Sequence, residues 1–188
     1  MKAETNPGFQ RRKMNVMKKI EKAEQIRASG VDALSTDLSR LLGERGLLNL
    51  AYGAVQTVDE EQIKEAARRS PGFRPQMMLS LLTYCYLSTV YGSRDIEWSV
   101  DRDRTIRYIC ARTFPDWQSI RRFRRQNSDL VRQCLVHVLK QTWALKFDQG
   151  EADYVGYEWF ESELLEQIQE TAEARLQLSM LMDGAESE

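Results

Sequence analysis

From Met77 to Tyr91 the chain is almost continuously apolar, and this run decides what the rest can build. A helix with no polar face has nothing to offer water and must be enclosed by other elements. At about 15 residues the run falls short of the ~20 that cross a bilayer, and Thr83 with the tyrosines and serines around it suits a protein interior. The run predicts a central helix from Gln76 to Tyr91, opened by Pro75 and closed by Gly92. Proline fits a helix's first turn, and glycine its exit. With 188 residues the chain can bury one substantial core around it. No stretch alternates apolar and polar residues between turn signals, so no strand is expected. The fold class that follows is all-α, a multi-helix orthogonal bundle containing a helix-turn-helix-like unit.

The enclosing helices are marked by their starts and stops. Phe9 to Ser29 reads as a basic helix with a thin stripe of Met14, Met17 and Ile20, interrupted at Gly30. Leu34, Leu38 and Leu41 share one face before Gly43, and Leu47 to Val55 makes a further short apolar helix. Thr57-Val58-Asp59-Glu60 has the form of a capping box ahead of a helix from Asp59 to Arg69. Ser70-Pro71-Gly72 is the sharpest break and sets a subdomain boundary. Beyond the central helix, Ser93 caps Arg94 to Val100, and a helix follows from about Arg102 to Arg112. Asp129 to Phe147 turns Val131, Leu135, Val138, Thr142 and Leu145 inward. Asp148-Gln149-Gly150 links it to an acidic helix, Glu158 to Met182, with Phe160, Leu164, Ile168 and Ala172 on one side. The chain thus divides into a basic helical region at 1–70, a helical body at 71–147 and an acidic C-terminal helix at 148–188.

Thr113 to Arg125 carries the most chemistry. Pro115-Asp116 breaks one helix and opens the next. Trp117, Ile120 and Phe123 then recur on one face, while Gln118, Arg121, Arg122 and Arg125 fall opposite. An amphipathic helix with an Arg/Gln outer face behind a tight turn has what a major-groove reader needs. A merely solvated basic face shows the same pattern. Charge is also divided along the chain: residues 1–147 carry 26 basic against 16 acidic groups, and residues 148–188 carry one against 12. A body at +10 joined to an end at −11 calls for an anionic partner, or for a tail that masks or solubilises the body.

Catalytic signals are missing by comparison. Cys85, Cys110 and Cys134 are widely spaced, form no CxxC pair and have only His137 as a histidine in the chain. Reduced, buried thiols are expected, with no disulfide, no metal site and no cofactor. His137 sits in an apolar helix with no nucleophile or acid motif, as a packing histidine would. No glycine-rich phosphate loop or nucleophile–base constellation appears, so no enzyme is expected. The polar amino terminus has no signal-peptide h-region, which together with the short apolar run predicts a cytoplasmic protein without a membrane partner.

Three blocks carry a resemblance: Phe73-Arg74-Pro75 before the apolar helix, Gly92-Ser93-Arg94-Asp95-Ile96-Glu97, and Pro115-Asp116-x-x-Ser119-Ile120-x-Arg122-Phe123-Arg124. In sequence and spacing the stretch from Phe73 to about Lys146 resembles the N-terminal domain of bacterial DDE-type insertion-sequence transposases of the InsH kind. The resemblance implies a helical module that recognises the element's terminal repeats, a double-stranded DNA partner and a bacterial, nucleoid-associated location. That family continues into an RNase H-like domain with three acidic metal ligands. The residues after Phe147 here offer an acidic helix and no strand series, so two-metal strand transfer has no rigid sheet to stand on. The expectation is the recognition half without the chemistry, as a regulator or accessory factor.

Roles can then be assigned residue by residue. Gln118 and Ser119 open the helix where base edges are reached, and Arg121, Arg122 and Arg125 extend that face. Arg104, Arg107 and Arg112 suit phosphates, which fix register. Arg124 falls at the edge of the inward stripe and needs a carboxylate; Glu97 and Asp95 are the candidates, and Glu97 is the expected structural partner. Trp117 reads as a core anchor, and Tyr84, Tyr86 and Tyr91 as packing residues. Residues 158–182 offer a surface for a second copy or a protein partner, since groove-reading proteins commonly dimerise. The alternatives are a helical protein–protein adaptor that has lost nucleic-acid binding, and a non-specific RNA or single-strand binder. The last would need exposed aromatics among the arginines, whereas the aromatics mostly follow inward stripes.

Overall fold

A computed structural model describes residues 7–28, 33–148 and 157–186. Among the described residues the chain is an all-α bundle of nine helices without a strand. In order they are α1 (Pro7–Ala28), α2 (Ala33–Gln56), α3 (Glu60–Arg69), α4 (Pro75–Leu87) and α5 (Ser93–Val100). Then come α6 (Arg104–Cys110), α7 (Trp117–Gln126), α8 (Ser128–Asp148) and α9 (Tyr157–Glu186). The breaks expected at Gly30 and Gln149-Gly150 lie outside the described residues, as do the side chains of Leu34, Leu38, Leu41 and Phe160.

α4 is the axis. Every residue from Met78 to Leu87 is buried, and α2, α3, α6, α7 and α8 all pack against it. At about 2 kcal/mol for each buried leucine or methionine side chain, this one helix drives much of the assembly. It ends at Leu87, short of the expected Tyr91. Thr89 takes a left-handed conformation with φ 62°, and the Val90 N–H donates to the Cys85 carbonyl at 2.8 Å. This six-to-one bond closes the helix without a glycine. It also turns the backbone so that Tyr91 can serve another purpose, described below.

The flanking helices follow their local chemistry. α2 is one element kinked at Gly43, whose φ of 62° and ψ of −179° lie outside the helical region. α3 begins at Glu60, one residue later than expected, and its capping box lies two residues further on. Asp59 is its cap, Gln62 completes the capping box, and Thr57 instead donates to the Ala54 carbonyl at 2.7 Å. Gly92, not Ser93, caps α5, and Asp103 caps α6. Along α8, Val131, Leu135, Val138 and Thr142 are buried as their spacing requires.

One core draws on all three sequence segments. Leu47, Ala51 and Ala54 of α2 join α4, α6, α7 and α8, and Ile168, Ala172, Leu176 and Leu178 of α9 complete it. α9 packs along α1 and α8 and touches α5, so the acidic C-terminal segment is built into the bundle.

Candidate nucleic-acid interface

α7 is fixed in place at both ends. At its start the Asp116 carboxylate accepts the Ser119 N–H at 2.6 Å, and this bond holds the carboxyl below its ordinary range. Trp117 is half-buried, with the Arg94 guanidinium 4.8 Å from its ring centroid. At the far end Ser70 Oγ donates to Gln126 Oε1 at 2.6 Å, and Asn127 Nδ2 donates to Ser70 Oγ at 3.0 Å. The sequence break at Ser70 is therefore a joint between the ends of α3 and α7.

Between these ends Ile120 and Phe123 enter the core, and Arg124 goes in with them, wholly buried. Arg124 Nη1 donates to Tyr86 Oη at 2.8 Å and to the Tyr91 carbonyl at 2.9 Å. Nη2 donates to Ser93 Oγ at 2.8 Å and forms an ion pair with Asp183 Oδ2. Asp183 also accepts the Ser93 N–H at 2.9 Å and the Ser93 hydroxyl at 3.1 Å. Burial opposes the charge on Arg124, but Tyr86 and Asp183 outweigh it, and its pKa lies above the ordinary value. The partner expected in Glu97 is thus corrected to Asp183. Arg124 meets α5 at its first residue, Ser93, and the last turns of α9 bring Asp183 to the same point; Glu97 lies a turn further along α5, half-exposed. A signal for Asp183 did exist. With Ile168, Ala172, Leu176 and Ser179 it recurs at i, i+4, i+8, i+11 and i+15, and a carboxylate on an inward stripe demands a buried partner.

The outer side of α7 presents Gln118, Arg122 and Arg125 to solvent, with Ser119 and Arg121 half-buried beside them. On α6, Arg104 and Arg107 are exposed on the face opposite Ile106 and Ile109. α6 and α7 both rest on α4 and α5 and are joined by residues 111–116. Arg112 is exposed in this turn, where it and Ala111 are both left-handed, with φ of 70° and 46°. Such a conformation costs roughly 1–2 kcal/mol for a residue other than glycine. Among the described residues, Arg104, Arg107, Arg112 and Arg125 pair with no carboxylate.

Not all aromatics follow inward stripes. Tyr84, Tyr86 and Tyr91 are buried, but Trp98, Tyr108 and Phe114 are 61%, 68% and 49% exposed. α5 and α6 are short, and each sets its aromatic two residues after a buried isoleucine, Ile96 or Ile106, which turns it outward. That offset was present in the sequence.

Elsewhere the chemistry is quiet. Burial raises the thiols of Cys85, Cys110 and Cys134, the last two to about 11 and about 12, so thiolate is scarce at neutral pH. His137 is half-buried on α8. A cleft of about 870 Å³ is lined chiefly by apolar side chains, Val55, Ile63, Phe73, Met77 and Ile109 among them. Among the described residues no three His, Cys, Asp or Glu side chains gather as a metal site, and no helix is long and apolar enough to cross a membrane.

Residues 50–126, from the end of α2 through the last residue of α7, match the family described as Transposase domain (DUF772). The match supports a transposase-related protein. It takes in the buried Arg124 and every candidate contact residue, and leaves out α1, α8 and α9. No curated protein and no solved structure matches the chain.

Proposed function

We propose that this chain binds double-stranded DNA at a specific site through the outer face of α7, as a non-catalytic regulator or accessory factor built on an InsH-like transposase recognition domain. One observation carries the proposal. Gln118, Arg122 and Arg125 face outward as a polar, cationic set while Arg124 is withdrawn into the core with Ile120 and Phe123, so the helix is anchored from inside and keeps a cationic outer side. Gln118 and the neighbouring arginines have the hydrogen-bonding forms that read adenine and guanine. Arg104, Arg107 and Arg112 then take phosphates and set register. The apolar side of α9 is occupied within the bundle. A second copy or protein partner at residues 158–182 would therefore meet its outer acidic side, where Glu163, Glu166 and Glu170 are exposed.

The test is a titration of duplex DNA at several salt concentrations. Arg121→Ala with Arg122→Ala should weaken binding and lower the salt slope by about two. A slope equal to that of the parent protein would overturn the proposal.

A further inference from the structure

We infer a second contact beside α7: Trp98 is a base-stacking site that takes an unpaired nucleotide at the end of the duplex bound by α7. The inference rests on the DNA-binding function proposed above and names the form of DNA preferred. Ile96 and Val100, on either side of Trp98, are buried, so helix geometry aims the indole at solvent. The Arg102 guanidinium lies 3.4 Å from the ring centroid, and its Nη1 donates to the Trp98 carbonyl at 3.3 Å, which holds it there. One ring face is thereby covered, yet Trp98 is still 61% exposed. The other face is open to a planar partner, and the ring is already ordered.

Its place relative to α7 favours DNA. Arg94 is one turn before Trp98 on the same face of α5, and its guanidinium stacks on Trp117, the residue next to Gln118. Trp117, Arg94, Trp98 and Arg102 thus lead from the start of α7 onto α5 as alternating rings and cations. Asp95 on α5 and Asp101 just after it are exposed and would repel a continuous ridge of phosphates. They disfavour a second duplex contact here. A single base, held by its π face with its phosphate near a guanidinium, fits both the charges and the open ring.

The experiment compares a short mixed-sequence duplex with blunt ends and the same duplex carrying an unpaired adenine tract, each binding the full chain at low salt. The extended duplex should bind on the order of tenfold tighter. Trp98→Ala should abolish that gain and leave blunt binding unchanged, while Trp98→Phe keeps most of it. Equal affinity of the parent protein for the two duplexes, or a Trp98→Ala loss shared equally by both, would sink the stacking site; the second result would assign Trp98 a structural role. Retention of blunt affinity in Arg121→Ala/Arg122→Ala, with the extension gain still lost in Trp98→Ala, would remove the function of α7 and keep the stacking site.

Discussion

α3 and α7 are both ten residues long, both are capped by an aspartate, and both carry two basic residues in the last turn. They deploy those charges in opposite ways. On α3, acids stand one turn ahead of the bases: Lys64 meets Glu61 at 2.8 Å, and Arg68 and Arg69 meet Glu65 at 2.7 Å and 3.1 Å. These exposed pairs stabilise the helix only slightly, but they occupy the cations. On α7 no acid follows Asp116, so Arg124 finds its carboxylate in α9, and Arg122 and Arg125 face outward. The number of basic residues on a helix therefore says little about anion binding; the placement of acids one turn away says more.

The largest effect that can break this comparison lies at the buried pair. Asp183→Ala leaves Arg124 charged in the core and should cost about 3–5 kcal/mol in urea-induced unfolding. Arg124→Met with Asp183→Leu should recover most of that loss, because the cost comes from the unpaired charge. Arg68→Ala, which removes an exposed pair on α3, should cost less than about 0.5 kcal/mol. Equal losses at Asp183 and Arg68 would mean that α7 is anchored by its apolar residues alone.

The second effect concerns binding. Arg121→Ala with Arg122→Ala should reduce duplex affinity by about 2 kcal/mol at low salt, whereas Arg68→Ala with Arg69→Ala should leave it within about 0.5 kcal/mol. Matching losses from the two helices would point to diffuse charge attraction and remove the special standing of α7.

Next come the caps, where the two helices should behave alike. Asp59→Ala and Asp116→Ala should each lower stability by about 1 kcal/mol. They part in acid. The Ser119 N–H keeps the Asp116 carboxyl below its ordinary value. Its contribution is fully present above the unfolded-state pKa of about 4 and disappears as pH falls through the folded value. Asp116→Asn retains a capping oxygen and should flatten that acid limb of the stability–pH curve. An unaltered limb would place the acid sensitivity elsewhere.

What was legible beforehand follows from how far each interaction reaches along the chain. Pro75, Gly92 and Asp116 announce their helices because capping is settled within a few residues. The inward stripe of α7 and the displaced Arg124 were equally local. Asp183 was not, since it lies 59 residues from Arg124 and belongs to a helix that net charge alone marked as an appendage. The exit of α4 was hidden for a different reason. Thr89 in a left-handed conformation contradicts its own preference, and tertiary bonds to Tyr91 outweigh it. Trp98 was lost in the average over all aromatics, although its offset from Ile96 marked it as exposed.

The smallest change tests the comparison most directly. Glu65→Gln removes the carboxylate shared by Arg68 and Arg69 while keeping the side chain's shape and its helix propensity. The Arg68 and Arg69 hydrogen bonds hold the Glu65 carboxyl below its ordinary range, so at neutral pH it is fully ionised and the substitution removes a whole charge. The urea-unfolding midpoint should barely move, because exposed pairs contribute little. Binding should respond instead: two released guanidinium groups on α3 should raise affinity for non-specific duplex and steepen the salt slope by about one. Specific recognition should not improve, since the exposed glutamine of α3, Gln62, is engaged in the capping box and stands six residues before Arg68. If Glu65→Gln leaves the salt slope unchanged, then local pairing is not what keeps α3 silent, and the exposure of Arg122 and Arg125 on α7 must be explained by the shape of their surroundings.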